Sequence, residues 1–359
     1  MRIIRNLSIA ALAFVATMLV FEGYLQLSEI QTPMETRIDP EIGPAFVSGA
    51  KVTRFNEGFY IGGVNEQGFY GPTVPKKEAS GERRVLLIGD SFVMGITVFE
   101  RHHFATLLRQ DLNRESQGKV QVLNFGRGDF NFSNMYQYYR DFASTWEHDL
   151  ALFFVENQDL YPAQQVTRGL YPIVTVEGDS LHIDYSYRTS PEFARYRRME
   201  PIVAHSALFR MAFNSYKMVL RGELRGLILG KFASFLGPRT AHAKVANAKH
   251  NRRERVMPPV TRAILRSIAK NPKAVVVLKK SVEPEVYSIL NDLGLTTWDL
   301  EPTLQALEDQ DEDPYYWEVT GKRGHWNQRA HAAIADYLAR QIKADPRWQR
   351  AQHPSPDGG

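Results

Sequence analysis

Residues 85–95 read VLLIGDSFVMG. Four apolar residues, Val85 to Ile88, run directly into Gly89, Asp90 and Ser91, and Gly95 follows four residues after the serine. A short continuous apolar run that stops at glycine suits a strand covered on both faces, as in a parallel sheet. Ligands of open parallel sheets bind outside the carboxyl ends of the strands, which is where Ser91 would sit. If a helix starts there, its free N–H groups favour negative charge, the help that a serine attacking a carbonyl needs. The flanking glycines permit a tight turn and close backbone approach. The plainer reading is that Asp90 or Ser91 merely caps a helix.

The same rhythm continues outward. Apolar runs at Val85–Ile88, Val120–Phe125, Leu150–Val155, Ala274–Leu278 and Thr296–Asp299 read as strands. Amphipathic stretches near 103–114, 133–146, 258–270, 282–293, 301–309 and 328–342 read as helices. Alternating strands and helices predict an α/β fold with a doubly wound parallel sheet. Residues 161–256 interrupt this order as a largely helical insertion. It opens with a candidate hairpin at Tyr171–Tyr187 around Glu177-Gly178-Asp179, and a long helical stretch follows from about Pro201 to Leu236. A basic run from Arg239 through Arg255 reads as a solvated loop, with contact to anionic lipid or acidic polysaccharide as the sharper alternative. The expected division is 1–27 for a membrane helix, 28–80 for a Pro- and Gly-rich stem, 81–343 for the sheet domain, and 344–359 for a frayed tail. Within the stem, Phe59–Tyr70 suggests a hairpin packed on the sheet domain.

The 359 residues are 43% hydrophobic with net charge +4, ample for a large core and too mildly basic for a dedicated nucleic-acid binder. The chain has no cysteine, which excludes disulfides, thiolate catalysis and Cys-ligated zinc. At the N-terminus, Arg2 and Arg5 precede an uncharged run from Leu7 to Phe21, and Glu22 follows. Extended to Leu27, that run approaches the ~20 residues of a spanning helix. The basic residues predict an N-in orientation. The small-residue pattern Ala11-Leu12-Ala13 falls too early for a good cleavage site, so an uncleaved signal anchor is favoured over a cleaved signal peptide.

Three further stretches bear on Ser91. Asn124-Phe125-Gly126-Arg127-Gly128-Asp129 follows the second strand, where Gly126 is placed to offer a backbone N–H. Glu156-Asn157-Gln158-Asp159 follows the third, where Asn157 offers an amide donor. Gly324-His325-Trp326-Asn327 precedes the last helix, which makes His325 a candidate general base. A lone histidine before a helix is more often a cap or surface residue. Together, however, these residues supply nucleophile, oxyanion donors and base at strand-end loops.

The order Gly89-Asp90-Ser91, Gly126, Asn157 and His325 resembles the SGNH (GDSL-type) hydrolase superfamily over most of residues 83–343. Asn65–Pro72 and His325-Trp326-Asn327 are similar to membrane-anchored bacterial members, the latter to the alginate O-acetylation branch. The resemblance implies a flavodoxin-like three-layer α/β/α fold and cofactor-free ester chemistry. Ser91 would be the nucleophile and His325 the base, with Ser91 N–H, Gly126 N–H and Asn157 forming the oxyanion hole. Asp90, Trp326 and Asn327 are expected to contact substrate. The family usually carries an aspartate two or three residues before the histidine, whereas Lys322 and Arg323 stand here. Three readings remain open: a Ser–His dyad, replacement by Glu318, Asp313 or Glu156 in space, or a weakened site. The third block also departs, with Gln158 between Asn157 and Asp159 and Val155 where a glycine is usual.

Other chemistries have less support. Neither nucleotide-binding glycine motif occurs, and adjacent His102-His103 or His325 and His331 have no standard metal spacing, so no cofactor and no metal are expected. Tyr136, Tyr138 and Tyr139 fall in an expected helix and read as packing. The expectation is a bacterial inner-membrane protein, single-pass, with its catalytic domain in the periplasm or outside the cell. Its partners would be an ester-bearing carbohydrate or lipid and the membrane, with no nucleic acid. The expected activity is a serine esterase. The alternatives are an O-acyltransferase of an envelope polysaccharide and a non-catalytic glycan- or lipid-binding protein.

Overall fold

The computed structural model describes residues 2–28, 34–79, 81–116, 119–162, 170–178, 180–220 and 256–350. The chain divides into two units, Met1–Met34 with Ala194–Val256, and Glu35–Phe193 with Met257–Gly359. The first holds α1 (Arg2–Leu27), which among the described residues is the one helix long and apolar enough to cross a membrane.

The second unit opens with two antiparallel hairpins, β1 (Thr36–Asp39) with β2 (Gly43–Phe46) and β3 (Lys51–Arg54) with β4 (Tyr60–Gly63). The sheet domain follows with β5 (Arg83–Gly89), α2 (Ser91–Met94), α3 (Phe104–Ser116), β6 (Val120–Gly126), α4 (Phe132–Asp141), β7 (Leu150–Val155) and α5 (Asn157–Leu160). The hairpin β8 (Ile173–Glu177) and β9 (Ser180–Asp184) leads to α6 (Pro191–His205), within which the division between units falls, and α7 (Ala207–Leu220) belongs to the first unit. The sheet domain resumes with α8 (Pro259–Ala269), β10 (Ala274–Leu278), α9 (Pro284–Asp292), β11 (Thr297–Asp299) and α10 (Glu301–Glu308). A short antiparallel pair, β12 (Tyr316–Trp317) and β13 (Lys322–Arg323), precedes α11 (Gln328–Ala344) and α12 (Pro346–Arg350).

The central sheet runs β6-β5-β7-β10-β11, all parallel. In sheet order this is the flavodoxin-like 2-1-3-4-5 arrangement, whose switch point lies between its first and third strands. Every residue of β5, β7 and β10 is buried, because helices cover both faces. Alternate residues serve alternate faces. Leu86 and Ile88 pack with Met135 of α4, Ile264 of α8 and Val286 of α9, whereas Val85 and Leu87 pack with Leu108 of α3, Leu304 of α10 and Ile334 of α11. This is the three-layer α/β/α architecture. The expected strands at 150–155 and 274–278 coincide with β7 and β10.

Three boundaries differ from the sequence reading. The segment expected to be a stem joins the sheet unit from Glu35 onward. Phe69 is fully buried, its ring 4.8 Å from Phe125 and 5.4 Å from Trp146, and buried Arg84 donates to the carbonyls of Pro75, Lys76 and Lys77. The insertion is shared, with residues through Phe193 in the sheet unit and those from Ala194 in the other. Its long helix is broken at Ser206 into α6 and α7, while residues 221–236 and the basic run at 239–255 lie outside the described residues. The tail is anchored at its start, since Trp348 of α12 is buried with the Arg83 guanidinium 3.3 Å above its ring. Residues 351–359 of that tail lie outside the described residues.

Candidate active site

The strand-end loops at the switch point converge as their sequences suggest. β5 ends at Gly89, Asp90 caps α2 by accepting from Phe92 N–H at 3.0 Å, and Ser91 becomes the first residue of that helix. The capping role thus falls to Asp90, which leaves the Ser91 hydroxyl for another partner. That partner is His325, whose Nε2 lies 2.8 Å from Ser91 Oγ. Ser91 is part-exposed and the His325 side chain is 30% exposed, so the pair is reachable from solvent.

The other ring nitrogen meets a carboxylate that the sequence reading did not consider. His325 Nδ1 lies 3.0 and 3.1 Å from the two oxygens of Glu57, and His325 backbone N–H donates to the same carboxylate at 2.7 Å. Glu57 stands in the β3–β4 connection, within the segment expected to be a stem. Its approach needs a glycine opposite, because a Cβ on Gly324 would lie 2.3 Å from Glu57 Cδ. The connection is tied down by Thr320 Oγ1 donating to Glu57 O at 2.7 Å and by Lys322 Nζ donating to Asn56 O at 2.9 Å. Burial raises the Glu57 pKa, but hydrogen bonds from the His325 side chain and backbone, with the charges of His325 and Lys322, outweigh it. The carboxyl is held below its ordinary range.

The two cations before His325 are thus engaged elsewhere. Lys322 holds the loop that brings Glu57, and Arg323 pairs with Asp313 at 2.5 Å. None of the acids expected to substitute reaches the imidazole: Asp313 serves Arg323, Glu156 faces Lys279, and Glu318 is exposed.

Beneath the nucleophile, Lys279 is buried with its ammonium 2.6 Å from Asp90, 3.0 Å from Asp159 and 3.1 Å from Glu156. One cation thereby joins the loop after β5 to the loop after β7. Burial pushes the Asp159 carboxyl up to about 7, aided by Asp90 and opposed by Lys279, while the three carboxylates more than offset burial and hold Lys279 firmly protonated. The carboxylates lie close enough together to bind a metal ion, but Lys279 Nζ is within reach of all three, so the lysine itself supplies the central cation.

The expected oxyanion donors divide. Gly126 N–H is engaged, donating to Asn124 Oδ1 at 2.9 Å, and the glycine serves close packing, since a Cβ there would lie 2.2 Å from Met94 N. In the same turn Gly128 N–H has no hydrogen-bond partner among the described residues, and neither has Ser91 N–H. Asn157 is oriented by Glu283 N–H donating to its Oδ1 at 3.0 Å, and its Nδ2 makes one long contact, 3.5 Å, to Ser281 O. A second amide hydrogen therefore remains for a ligand.

Of the three expected substrate contacts, Asp90 and Trp326 are buried, and Asn327 is half-buried with its side chain engaged within the fold. Asp90 is 5% exposed and bonded to Lys279 and Phe92 N–H. Trp326 is fully buried against Phe92 and Phe104. Asn327 caps α11 through Arg329 and Ala330 N–H, and its amide donates to the carbonyls of Asp313 and Tyr316. Buried His103 and His331, rings 4.9 Å apart, are kept neutral by desolvation, His103 falling to about 4.

No protein-family profile and no curated protein sequence matches the chain. Among solved structures, a protein assigned to the G-D-S-L lipolytic family from Desulfitobacterium hafniense is 12% identical, covering 72% of this chain and 99% of its own, with a TM-score of 0.32. The acetyl xylan esterase AlAXEase is 12% identical over 72% of this chain and 99% of its own, with a TM-score of 0.36.

Proposed function

We propose that the chain is a membrane-anchored, extracytoplasmic serine esterase of the SGNH type, acting on a carbohydrate or lipid ester. The observation that carries the reading is the relay from Ser91 Oγ through His325 to Glu57, with both imidazole nitrogens in hydrogen-bond contact. Such a constellation is recognised by geometry and roles, not by sequence position. His325 Nε2 takes the Ser91 proton as Oγ bonds to the ester carbonyl carbon. The carbonyl oxygen becomes an oxyanion, for which Ser91 N–H, Gly128 N–H and the Asn157 amide are the candidate donors. The C–O bond then breaks, and His325 returns the proton to the departing alcohol. Water, deprotonated by His325, attacks acyl-Ser91, and the carboxylic acid leaves as Ser91 regains its proton. Throughout, ionised Glu57 accepts from Nδ1–H and stabilises the imidazolium.

The anchor reading is supported by the length and apolar composition of α1 and by Arg2 and Arg5 at its start. Lys322 and Arg323, which stand where the usual acid is missing, are engaged with Asn56 and Asp313, and Glu57 faces His325 in that acid's place, which counts against the non-catalytic alternative. The test is hydrolysis of p-nitrophenyl acetate by the full-length protein in detergent. Activity in the wild type that disappears in both Ser91→Ala and His325→Ala supports the reading, and an undiminished rate in Ser91→Ala overturns it.

A further inference from the structure

We propose that α7 lies in the membrane interface, as a second lipid contact beside α1 at the Glu22 end of the span. The inference rests on the reading of α1 as a membrane anchor. Arg210 and Lys217 are the charged residues of α7. Among its described side chains, the exposed positions Ala212, Ser215, Tyr216 and Val219 follow helical spacing and form one uncharged stripe, with Tyr216 59% and Val219 55% exposed. A helix so largely apolar is normally buried in a core or placed in lipid. Among the described residues it packs against α1, itself apolar and exposed over most of its length, with Leu25 buried.

The second observation is how the α6–α7 junction treats its backbone. The first N–H groups of a helix and the last carbonyls of its predecessor lack partners within their own helices. In water, hydration meets them. In a bilayer every such group must be satisfied by the protein itself. At this junction Ala207 N–H and Leu208 N–H each donate to the Glu22 carboxylate at 2.8 Å, and Phe209 N–H donates to Ser206 Oγ at 3.0 Å. On the other side, His205 O accepts from Gln26, and Val203 O and Ala204 O accept from Arg210 Nη1. Glu22 also accepts from Gln26 at 2.6 Å and Ser206 Oγ at 3.0 Å, so its carboxylate is held by four donors at a helix N-terminus. The acid that ends the apolar run of α1, and the arginine in the first turn of α7, are thus both engaged in meeting the free backbone groups of this junction.

The absence of cysteine permits single-cysteine spin labelling of the intact chain. The variants are Ala212→Cys, Tyr216→Cys and Val219→Cys on α7, with Val15→Cys on α1, in full-length protein reconstituted into phosphatidylcholine–phosphatidylglycerol vesicles. Each nitroxide is read for collision with oxygen, which concentrates in lipid, and with a water-soluble nickel chelate. The expected result is high oxygen access and loss of nickel access at all three α7 positions, as at Val15. Nickel access on α7 with Val15 protected places α7 in water and overturns the proposal while sparing the anchor. Exclusion of both reagents on α7 reports a protein-covered face and overturns it too. Nickel access at Val15 itself removes the anchor reading, and the proposal with it.

Discussion

Glu57→Gln is the substitution that most sharply separates a working triad from a Ser–His dyad. The glutamate accepts from both His325 Nδ1 and His325 backbone N–H. Glutamine keeps the size and shape but has one accepting oxygen and one donating amide. If its oxygen keeps the backbone N–H, the NH₂ faces Nδ1 and forces that nitrogen to accept. The proton then sits on Nε2, the nitrogen that must take the Ser91 proton. In the serine protease template, the corresponding amide substitution lowers kcat by about 10⁴-fold through the wrong tautomer. That is about 5.5 kcal/mol of transition-state stabilisation. Steady-state hydrolysis of p-nitrophenyl acetate by the full-length protein should show kcat lowered by ~10³–10⁴-fold with KM little changed. The thermal unfolding midpoint should stay close to that of the wild type, since Glu57 is a part-buried loop residue. A Glu57→Gln rate within about threefold of wild type, well inside one tenfold step in rate, would refute the reasoning and leave His325 working without an acid.

Three further outcomes follow from the same geometry. Lys279→Met should destabilise the fold by ~3–5 kcal/mol in denaturant unfolding, because it leaves Asp90, Glu156 and Asp159 facing one another without their cation. Gly324→Ala should lower kcat by ~10²-fold with little change in melting temperature, because the new Cβ needs the space that Glu57 Cδ occupies. Asp159 binds its proton more tightly folded than unfolded, its pKa raised from 3.8 to about 7, so its contribution to stability is fullest below the lower value and declines as pH rises to the higher. Asp159→Asn should therefore flatten the stability–pH curve across that interval, read by thermal unfolding at stepped pH.

The sheet was legible because its strands are buried on both faces, and β7 and β10 carry unbroken apolar runs that no other element imitates. Ser91 and His325, which the fold brings together, were legible as candidates because each sits at a strand-end or pre-helix loop beside glycine. Glu57 was not, being 268 residues from its partner in a segment without the periodicity that would place it on the sheet. Lys322 and Arg323 stand where an acid is usual, and only the fold shows that one holds the Glu57 loop and the other pairs with Asp313. Gly126 illustrates a related limit. Sequence marks a glycine at the right strand end but does not say whether its N–H is free, and Asn124 has taken it. Asp90 and Trp326 are buried and Asn327 is taken up in capping for a similar reason, since a polar or aromatic residue beside a candidate nucleophile or base carries no sign in sequence of partners already found within the fold. The tail misled through composition, because one tryptophan among polar residues was enough to dock α12.

The most direct test of the central claim is reaction of the full-length protein, in detergent, with a fluorophosphonate, followed by mass spectrometry of the peptide that contains residues 85–95. An Oγ activated by His325 and Glu57 should give a phosphonate adduct on Ser91 in the wild type, none in Ser91→Ala, and sharply slowed labelling in His325→Ala and Glu57→Gln. A folded wild type that takes no label, or a Ser91→Ala variant labelled as fast as wild type, would contradict the account.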